Sequence, residues 1–437
     1  MPSTAPSSTY AQISRLAAER AVHQAFRWMH LNEKTIFDWQ QKLVTLPAPP
    51  FEEALRAAWL AEQFGSLGLV EVEIDGADNA IGRLPGKTGS EHCVVLSAHI
   101  DTVFPTDTPI EPYVKDRTLY APGACDNGAG VAGMLAIAAA LIQSGVAPDC
   151  DLYFIGNTGE EGEGNLRGVR HLYQQPRWKN RMRAHIILDG AGDHVAITEA
   201  LGCVRFRATI TGPGGHAWSN AGSLNPVVML SRAIAQLSQL ELPNQPRTTL
   251  NVGLIAGGTA INAIPERAEA CFDLRSTDPG ELLRLEVELY RAIEDEVAQS
   301  NLNYAARRAA HQPAFRTSNF RGGAPLTKQQ ASFRIEKIGE RPPGSLPENA
   351  VLYQQLLAVD RQLGLRTEPR TASTDANLPL SLGVPALTLG AGGSGGGIHT
   401  RKEWYDASNR ELALRRILLL LLAAAAGHES SPAINVL

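Results

Sequence analysis

The sequence predicts an α/β protein: a mixed, mostly parallel sheet with helices on both faces, interrupted by an inserted ferredoxin-like α+β domain. Three observations carry this reading. The run CVVLSAH at 93–99 is apolar throughout instead of alternating, as expected of a strand covered on both faces. Helical and strand-like segments alternate on either side of it. Between 201 and 345 the texture changes: VRFRATITG at 204–212 alternates apolar and polar residues, which fits a sheet with one solvated face. The elements there follow the order β-α-β-β-α-β of the ferredoxin-like split unit.

Taken in order, residues 1–10 read as disordered, and 11–44 carry helical apolar spacing through Ile13, Leu16, Ala17, Phe26, Ile36, Trp39 and Leu43. LPAPP at 46–50 breaks that pattern, and a helix follows from Glu52 to Leu67, closed by Gly68. Strands are expected at 69–74, 80–84 and 93–99, then an Ala- and Leu-rich helix at Gly128–Ser144. DLYFIGNTGEEGEG at 151–164 starts as a strand and ends in acids, and AHIILDG at 184–190 is a further strand. Residues 1–200 form the first segment of the main domain. The inserted domain, 201–345, has strands at 204–212, 248–258, 268–276 and 333–339, helices at 226–240 and 279–300, and a polar, irregular stretch at 305–330. The main domain resumes over 346–437, with a helix at 347–363, a strand PALTLG at 385–390, a glycine loop and a final helix from 409.

A length of 437 residues fits two well-filled domains, and 44% hydrophobic with 19% charged residues describes a globular chain. The net charge of -5 argues against a general nucleic-acid binder. Five cysteines without paired spacing read as reduced thiols of a cytoplasmic protein, and the N-terminus lacks a basic and apolar leader pattern. The run ILLLLLAAAA at 417–426 is too short to span a bilayer and reads as a buried helix.

The chemistry sits at strand ends. CVVLSA runs into His99, with Asp101 two residues on; the strand at 151 empties into Glu160 and Glu161; AHIIL ends at Asp189; PALTLG leads through its glycine loop to His399. Asp126 lies in the glycine-rich turn GACDNGAG at the start of a helix. Each has an ordinary explanation taken singly: Asp126 as a helix cap, Asp189 as a turn residue, His399 as a loop residue. In open α/β sheets, however, ligands bind outside the carboxyl ends of the strands, and here those ends converge. His99, Asp126, Glu161, Asp189 and His399 make two imidazoles and three carboxylates, a donor set suited to zinc and also to manganese or cobalt. One carboxylate can bridge two cations, which leaves Glu160 to act as base in amide hydrolysis. Asp101, at i+2 from His99, is placed to hold the far ring nitrogen.

The motifs SAHIDTVFP, GACDNGAG, TGEEGEG, LDGAG, TGPGGHAWS, NAIPERAEACFDLRS, STDAN and GGIHTRKEWYD resemble those of the co-catalytic zinc metallopeptidases, a superfamily that includes peptidase T, glutamate carboxypeptidase and acetylornithine deacetylase. STDAN, IHTRKEW and IGERPPGS make the resemblance strongest to peptidase T-like members. The resemblance implies two divalent metal ions per subunit, held by His99 and Asp189 on one side and Glu161 and His399 on the other, with Asp126 bridging and a cis peptide after it. It implies Asp101 orienting His99 and Glu160 as general base. The inserted domain corresponds to a lid and dimerisation domain of a homodimer. His216 matches a histidine that polarises the scissile carbonyl, often from the partner subunit, and Asn262 and Arg275 match substrate-contacting positions. The chain departs from the family pattern at Asn127–Gly130 and in carrying Cys125 beside Asp126, which is either a bystander or an oxidation-sensitive neighbour. The expected activity is hydrolysis of a small peptide by an exopeptidase, with a deacylase acting on N-acyl amino acids as the alternative. A catalytically inactive metal-binding scaffold is the alternative of a different class.

Overall fold

The computed structural model describes residues 7–310 and 330–426. The chain forms two compact units, one built from the segment up to Ala200 and the segment from Pro343 onward, the other from Leu201–Pro342.

The first unit is organised on a nine-stranded mixed sheet. Its four central strands, in spatial order Asp151–Asn157, Cys93–His99, Met182–Leu188 and Ala386–Leu389, are all parallel. Antiparallel strands Ala80–Leu84 and Val70–Ile74 extend one edge, and Val195–Ala200 extends the other. The alternation of side chains explains why the central strands are largely apolar. Val94, Leu96, Leu152 and Phe154 enter the large core beneath the helices Ala54–Leu67, Gly128–Ser144 and Arg410–Ala426. Cys93, Val95, Tyr153 and Ile155 face the other way, toward Leu172 and Trp178. Both faces are buried, so the strands are mainly apolar, and the polar side chains of Ser97 and His185 satisfy each other at 2.8 Å.

Register brings the strand ends level. His99 pairs with Asn157, Ser97 with Ile187 and Leu389 with Leu188, so the loops bearing the acids leave the sheet together. A small antiparallel sheet, Tyr113–Lys115, Thr118–Tyr120, Trp404–Asp406 and Ser394–Gly396, lies alongside and carries His399 between its last two strands in chain order.

Leu201–Pro342 forms its own four-stranded antiparallel sheet, in the order Thr249–Gly257, Arg267–Ser276, Gly202–Thr211, Ser332–Arg341. The helices Pro226–Leu237 and Pro279–Ala310 close a separate core on Phe206, Ile210, Phe272 and Leu289. This is the β-α-β-β-α-β order read from the sequence. The chain leaves this unit at Pro342, because Gly344 and Ser345 pair with Ala200 and Glu199 in the large sheet.

Two local expectations change. Ser7–Tyr10, read as disordered, start the helix Ser7–Ala18: Thr9 is buried and the Arg361 guanidinium lies 4.1 Å over the Tyr10 ring. The helix expected at 279–300 continues to Ala310 and absorbs the start of the stretch read as irregular, while 311–329 lies outside the described residues. The apolar run at 417–426 belongs to the buried helix Arg410–Ala426, and no helix among the described residues is long and apolar enough to cross a membrane.

That helix is tied to Val351–Leu363 by a buried ion pair, Arg416 Nε to Asp360 Oδ1 at 2.7 Å. Removing one member strands the other charge in the core, at a cost of about 3–5 kcal/mol, whereas replacing both by apolar residues is close to neutral. Arg416→Met is therefore expected to lower the urea midpoint strongly and Arg416→Met with Asp360→Leu to recover most of it. A double variant no more stable than the single one would contradict this account.

Candidate metal centre

Four loops meet above the carboxyl ends of the parallel strands. His99 ends its strand and is 1% exposed. Asp126 precedes the helix Gly128–Ser144, whose cap is Asn127, so capping does not account for the aspartate. The Asn127 side chain accepts from the amides of Gly130 and Gly190, both at 3.1 Å, and donates to the Leu188 carbonyl at 2.8 Å. It thereby joins the start of the helix to the loop that carries Asp189. The peptide bond between Asp126 and Asn127 is cis.

Asp126 is the centre of the arrangement. Its Oδ1 lies 3.1 Å from His99 Nε2, and its Oδ2 lies 3.2 Å from His399 Nε2. Asp189 Oδ1 is 3.7 Å from the same nitrogen of His99, and Glu161 Oε1 is 2.8 Å from the same nitrogen of His399. Two groups of three donors result, His99–Asp126–Asp189 and Asp126–Glu161–His399, each with its donor atoms within 4.8 Å of one another. They share only Asp126, through opposite oxygens. Glu160 falls outside both groups, 7% exposed beside Glu161.

Asp101 behaves differently from its sequence reading. The strand ends at His99, so the i+2 face rule no longer governs it. His99 Nδ1 lies 3.2 Å from the Asp101 backbone oxygen and 3.5 Å from its carboxylate. The carboxylate accepts from the amides of Glu160 at 3.1 Å and Glu161 at 2.7 Å. Asp101 thus fixes the backbone of the paired glutamates as well as facing the histidine.

The electrostatics reflect carboxylates crowded around two imidazoles. Burial acts against ionised Asp126, but His399 and His99 outweigh it and hold its carboxyl below the usual range. Burial likewise acts against charge on His99, and hydrogen bonds to Asp101, Asp126 and Asp189 outweigh it, holding the ring well above the ordinary histidine range. The hydrogen bond to Asp126 raises His399 to about 9. Burial pushes Glu161 up, and pushes the fully buried Asp375 of the STDAN motif up to about 7. Asp126 Oδ1 is buried and faces the His99 ring nitrogen at 3.1 Å. A buried carboxylate with one oxygen toward each of two nitrogen-and-oxygen donor groups is what a pair of divalent cations requires, and the residues fit such a pair. Cys125 is buried and its thiol is pushed up to about 12 by burial, so it is a protonated bystander.

The model of peptidase family M20/M25/M40 matches residues 95–423. The chain belongs to that family. Among its relatives is the succinyl-diaminopimelate desuccinylase 2 of Shewanella loihica, 26% identical over 254 residues, which cover 54% of this chain and 66% of that protein. The chain spans less than two thirds of the length of three curated desuccinylase relatives, 66%, 60% and 56%. A tripeptidase from Staphylococcus aureus shares the fold with a TM-score of 0.69 at 22% identity, over 91% of this chain and 99% of that one. So does a dinuclear metal-binding peptidase of the M20 family from Bacillus subtilis, with a TM-score of 0.62 at 15% identity over 89% and 97% of the two chains.

The remaining site residues read from the sequence lie in Leu201–Pro342. His216 and Asn262 are neighbours: Gly215–His216 pairs with Ala263–Ile264, and the Ala217 amide donates to the Asn262 carbonyl at 2.9 Å. The amides of Trp218 and Ser219 approach His216 Nδ1 at 3.2 and 3.4 Å, which makes Nδ1 the acceptor and leaves the ring proton on Nε2. Arg275 stands apart from both, near the far end of the strand Arg267–Ser276, and donates through Nε and Nη2 to Asp273 at 3.1 and 2.9 Å.

Several supporting residues went unread. Glu403 accepts from the amides of Gly123, Cys125 and Asp126 at 2.8–2.9 Å, locking the His399 turn onto the Asp126 loop. Its only sequence signal was its place in GGIHTRKEWYD. Gln40 donates to the Ala124 carbonyl at 2.6 Å, and the fully buried Arg56 donates to the carbonyls of Leu46 at 2.7 Å and Ile100 at 2.8 Å. Both precede the segment matched by the M20 model, so helices outside that match brace two metal loops. Partners that support ligands in this way set metal affinity by about 10–100-fold. Glu403→Ala is expected to weaken metal retention by that factor in competition with a chelator while far-UV circular dichroism is preserved. Unchanged retention would show that the clamp is dispensable.

Proposed function

We propose that the protein is a dinuclear metallohydrolase that cleaves an amide bond in a small peptide as an exopeptidase. One observation carries the reading: a single carboxylate, Asp126, presents one oxygen to each of two three-donor groups, beside a glutamate that belongs to neither. His99 and Asp189 would hold one ion, Glu161 and His399 the other, and Asp126 both. Zinc suits these donors best, with manganese or cobalt as substitutes. When bound, such a pair supplies Lewis acidity toward the amide carbonyl and lowers the pKa of water. Glu160 takes the proton of the attacking water and returns it to the leaving nitrogen. Asp101 fixes the Glu160 backbone through its amide. His216, with its proton on Nε2, donates to the scissile carbonyl oxygen, and Asn262 lies beside it for the same oxygen. Arg275 takes a substrate carboxylate, exchanging it against Asp273.

His216 and Asn262 cannot serve the same small substrate as Arg275 from one copy of the chain. His216 lies beyond the Arg267 end of the strand, and eight residues separate Arg267 from Arg275, roughly 27 Å at a strand rise of about 3.4 Å per residue. A homodimer formed through Leu201–Pro342 resolves this, with His216 and Asn262 acting on the partner's substrate. The edge strand Thr249–Gly257 supports it: it is paired on one side only, with Leu254 and Ile255 at 69% and 59% exposed. The desuccinylase relative favours a second reading, a deacylase of N-acyl amino acids, with the same residues in the same roles.

Glu160→Gln is expected to keep two ions per chain by atomic absorption while turnover of dipeptides, tripeptides and N-acyl amino acids falls by about 10²–10⁴-fold. His399→Ala is expected to retain about one ion per chain by the dinuclear assignment. Normal turnover in the first, or two ions in the second, would overturn the assignment. Mixing inactive Glu160→Gln and His216→Ala proteins under subunit exchange is expected to restore activity, because one site of each hybrid dimer is then intact. No restoration despite exchange would place His216 on its own copy's substrate.

A further inference from the structure

A second cavity shares the loops of the metal centre. It measures about 630 Å³ and is lined by Pro109, Glu111, Tyr113, Tyr120, Pro122 and the pair Arg401–Lys402, with Ala121 at its base. Three features make it a built site. Its walls are fused: Glu403 holds the turn bearing Arg401 and Lys402 against the loop bearing Pro122, through the amides of Gly123, Cys125 and Asp126, and the Ala121 amide donates to the Glu403 carbonyl at 3.1 Å. One side is an aromatic shelf, since Tyr113 and Tyr120 pair across the hairpin with their rings stacked at 4.7 Å and 5°. Its two cations are unspent: neither Arg401 nor Lys402 forms an ion pair with any described residue, and Glu111 is the one carboxylate in the lining.

The placement gives these features a use. Arg401 is two residues from His399, so their Cα atoms lie within about 7 Å, and Pro122 is four residues from Asp126. An extended peptide advances about 3.3–3.6 Å per residue, so about two residues of substrate span the distance from the His399 position to the Arg401 position. The metal centre itself is lined by Asp101, Asp126, Glu160, Glu161 and Asp189, which repel an anionic substrate until cations are bound. A guanidinium and an ammonium at the rim attract the same substrate and set its direction of entry. Arginine is the side chain best shaped for a carboxylate, and the tyrosine faces suit the methylene stem that bears it.

We propose that this cavity is a subsite for a second, side-chain carboxylate, and that the substrates are acidic: peptides or N-acyl amino acids with an aspartate- or glutamate-like residue next to the scissile amide. The proposal rests on the hydrolase reading above. The Arg401–Lys402 pair takes that carboxylate.

The test compares matched substrates that differ only in that carboxylate, Ala-Glu with Ala-Gln and Glu-Ala with Gln-Ala, on the zinc-loaded protein. The wild type is expected to favour the acidic member of one pair by about tenfold or more in kcat/KM, the scale of one charge-assisted contact. Arg401→Gln with Lys402→Gln is expected to collapse that ratio toward one, chiefly through KM. Because the readout is a ratio, a general loss of activity in the variant cancels. No preference in the wild type, or a preference that survives in the variant, overturns the subsite while leaving the hydrolase reading in place. Failure to cleave any of the four overturns the dipeptidase reading, and the subsite is then decided by calorimetric titration with Ala-Glu, Ala-Gln, Glu-Ala and Gln-Ala. Tighter binding of an acidic member to the wild type, lost in the variant, supports the subsite, and equal binding rejects it.

Discussion

The two oxygens of Asp126 face different imidazoles, and the rest of the first unit is arranged to make that tolerable. Burial alone makes an ionised carboxylate costly in a protein interior, and here the two imidazoles offset that cost. Three supports hold it there. Asn127 fixes the backbone on one side, the Glu403 clamp fixes it on the other, and Gln40 reaches in from the N-terminal helices to the Ala124 carbonyl. The parallel sheet supplies the precision, because its register brings His99 and Asp189 out of the core at the same level. Rigid elements thus place charges that would otherwise move apart.

The candidate ligand positions were legible in the sequence for a specific reason. A strand buried on both faces is mainly apolar until it ends, so the cluster of polar residues that follows CVVLSA, DLYFIG or AHIIL marks the sheet's carboxyl edge. His99, Glu160, Glu161 and Asp189 announce themselves by that break, and His399 follows from the glycine loop after PALTLG. Function was legible where chemistry and topology coincide.

What went unread was held by long-range geometry. Glu403 and the amides it accepts from are about 280 residues apart, and no local pattern links them. Arg56 lies on an amphipathic helix, where a basic residue ordinarily reads as solvated, yet it is buried because two carbonyls of distant loops converge on it. Asp101 was placed by a strand rule that stops applying two residues earlier, at the end of the strand. His216, Asn262 and Arg275 were legible only through the family resemblance; spacing alone could not separate Arg275 from the other two, because the distance between them accumulates along a strand.

The split of the first unit bears on how the chain is made. Met182–Leu188 has its partner Cys93–His99 early in synthesis, but its other neighbour, Ala386–Leu389, emerges roughly 200 residues later, a delay of about 10–40 s at about 5–20 residues per second. During that interval an apolar parallel strand is an open edge, the kind of surface that recruits other chains. The intervening segment is contiguous, and its own sheet can close as soon as Arg341 has emerged. The nascent chain therefore carries one finished unit and one unfinished one, and the second three-donor group waits for His399.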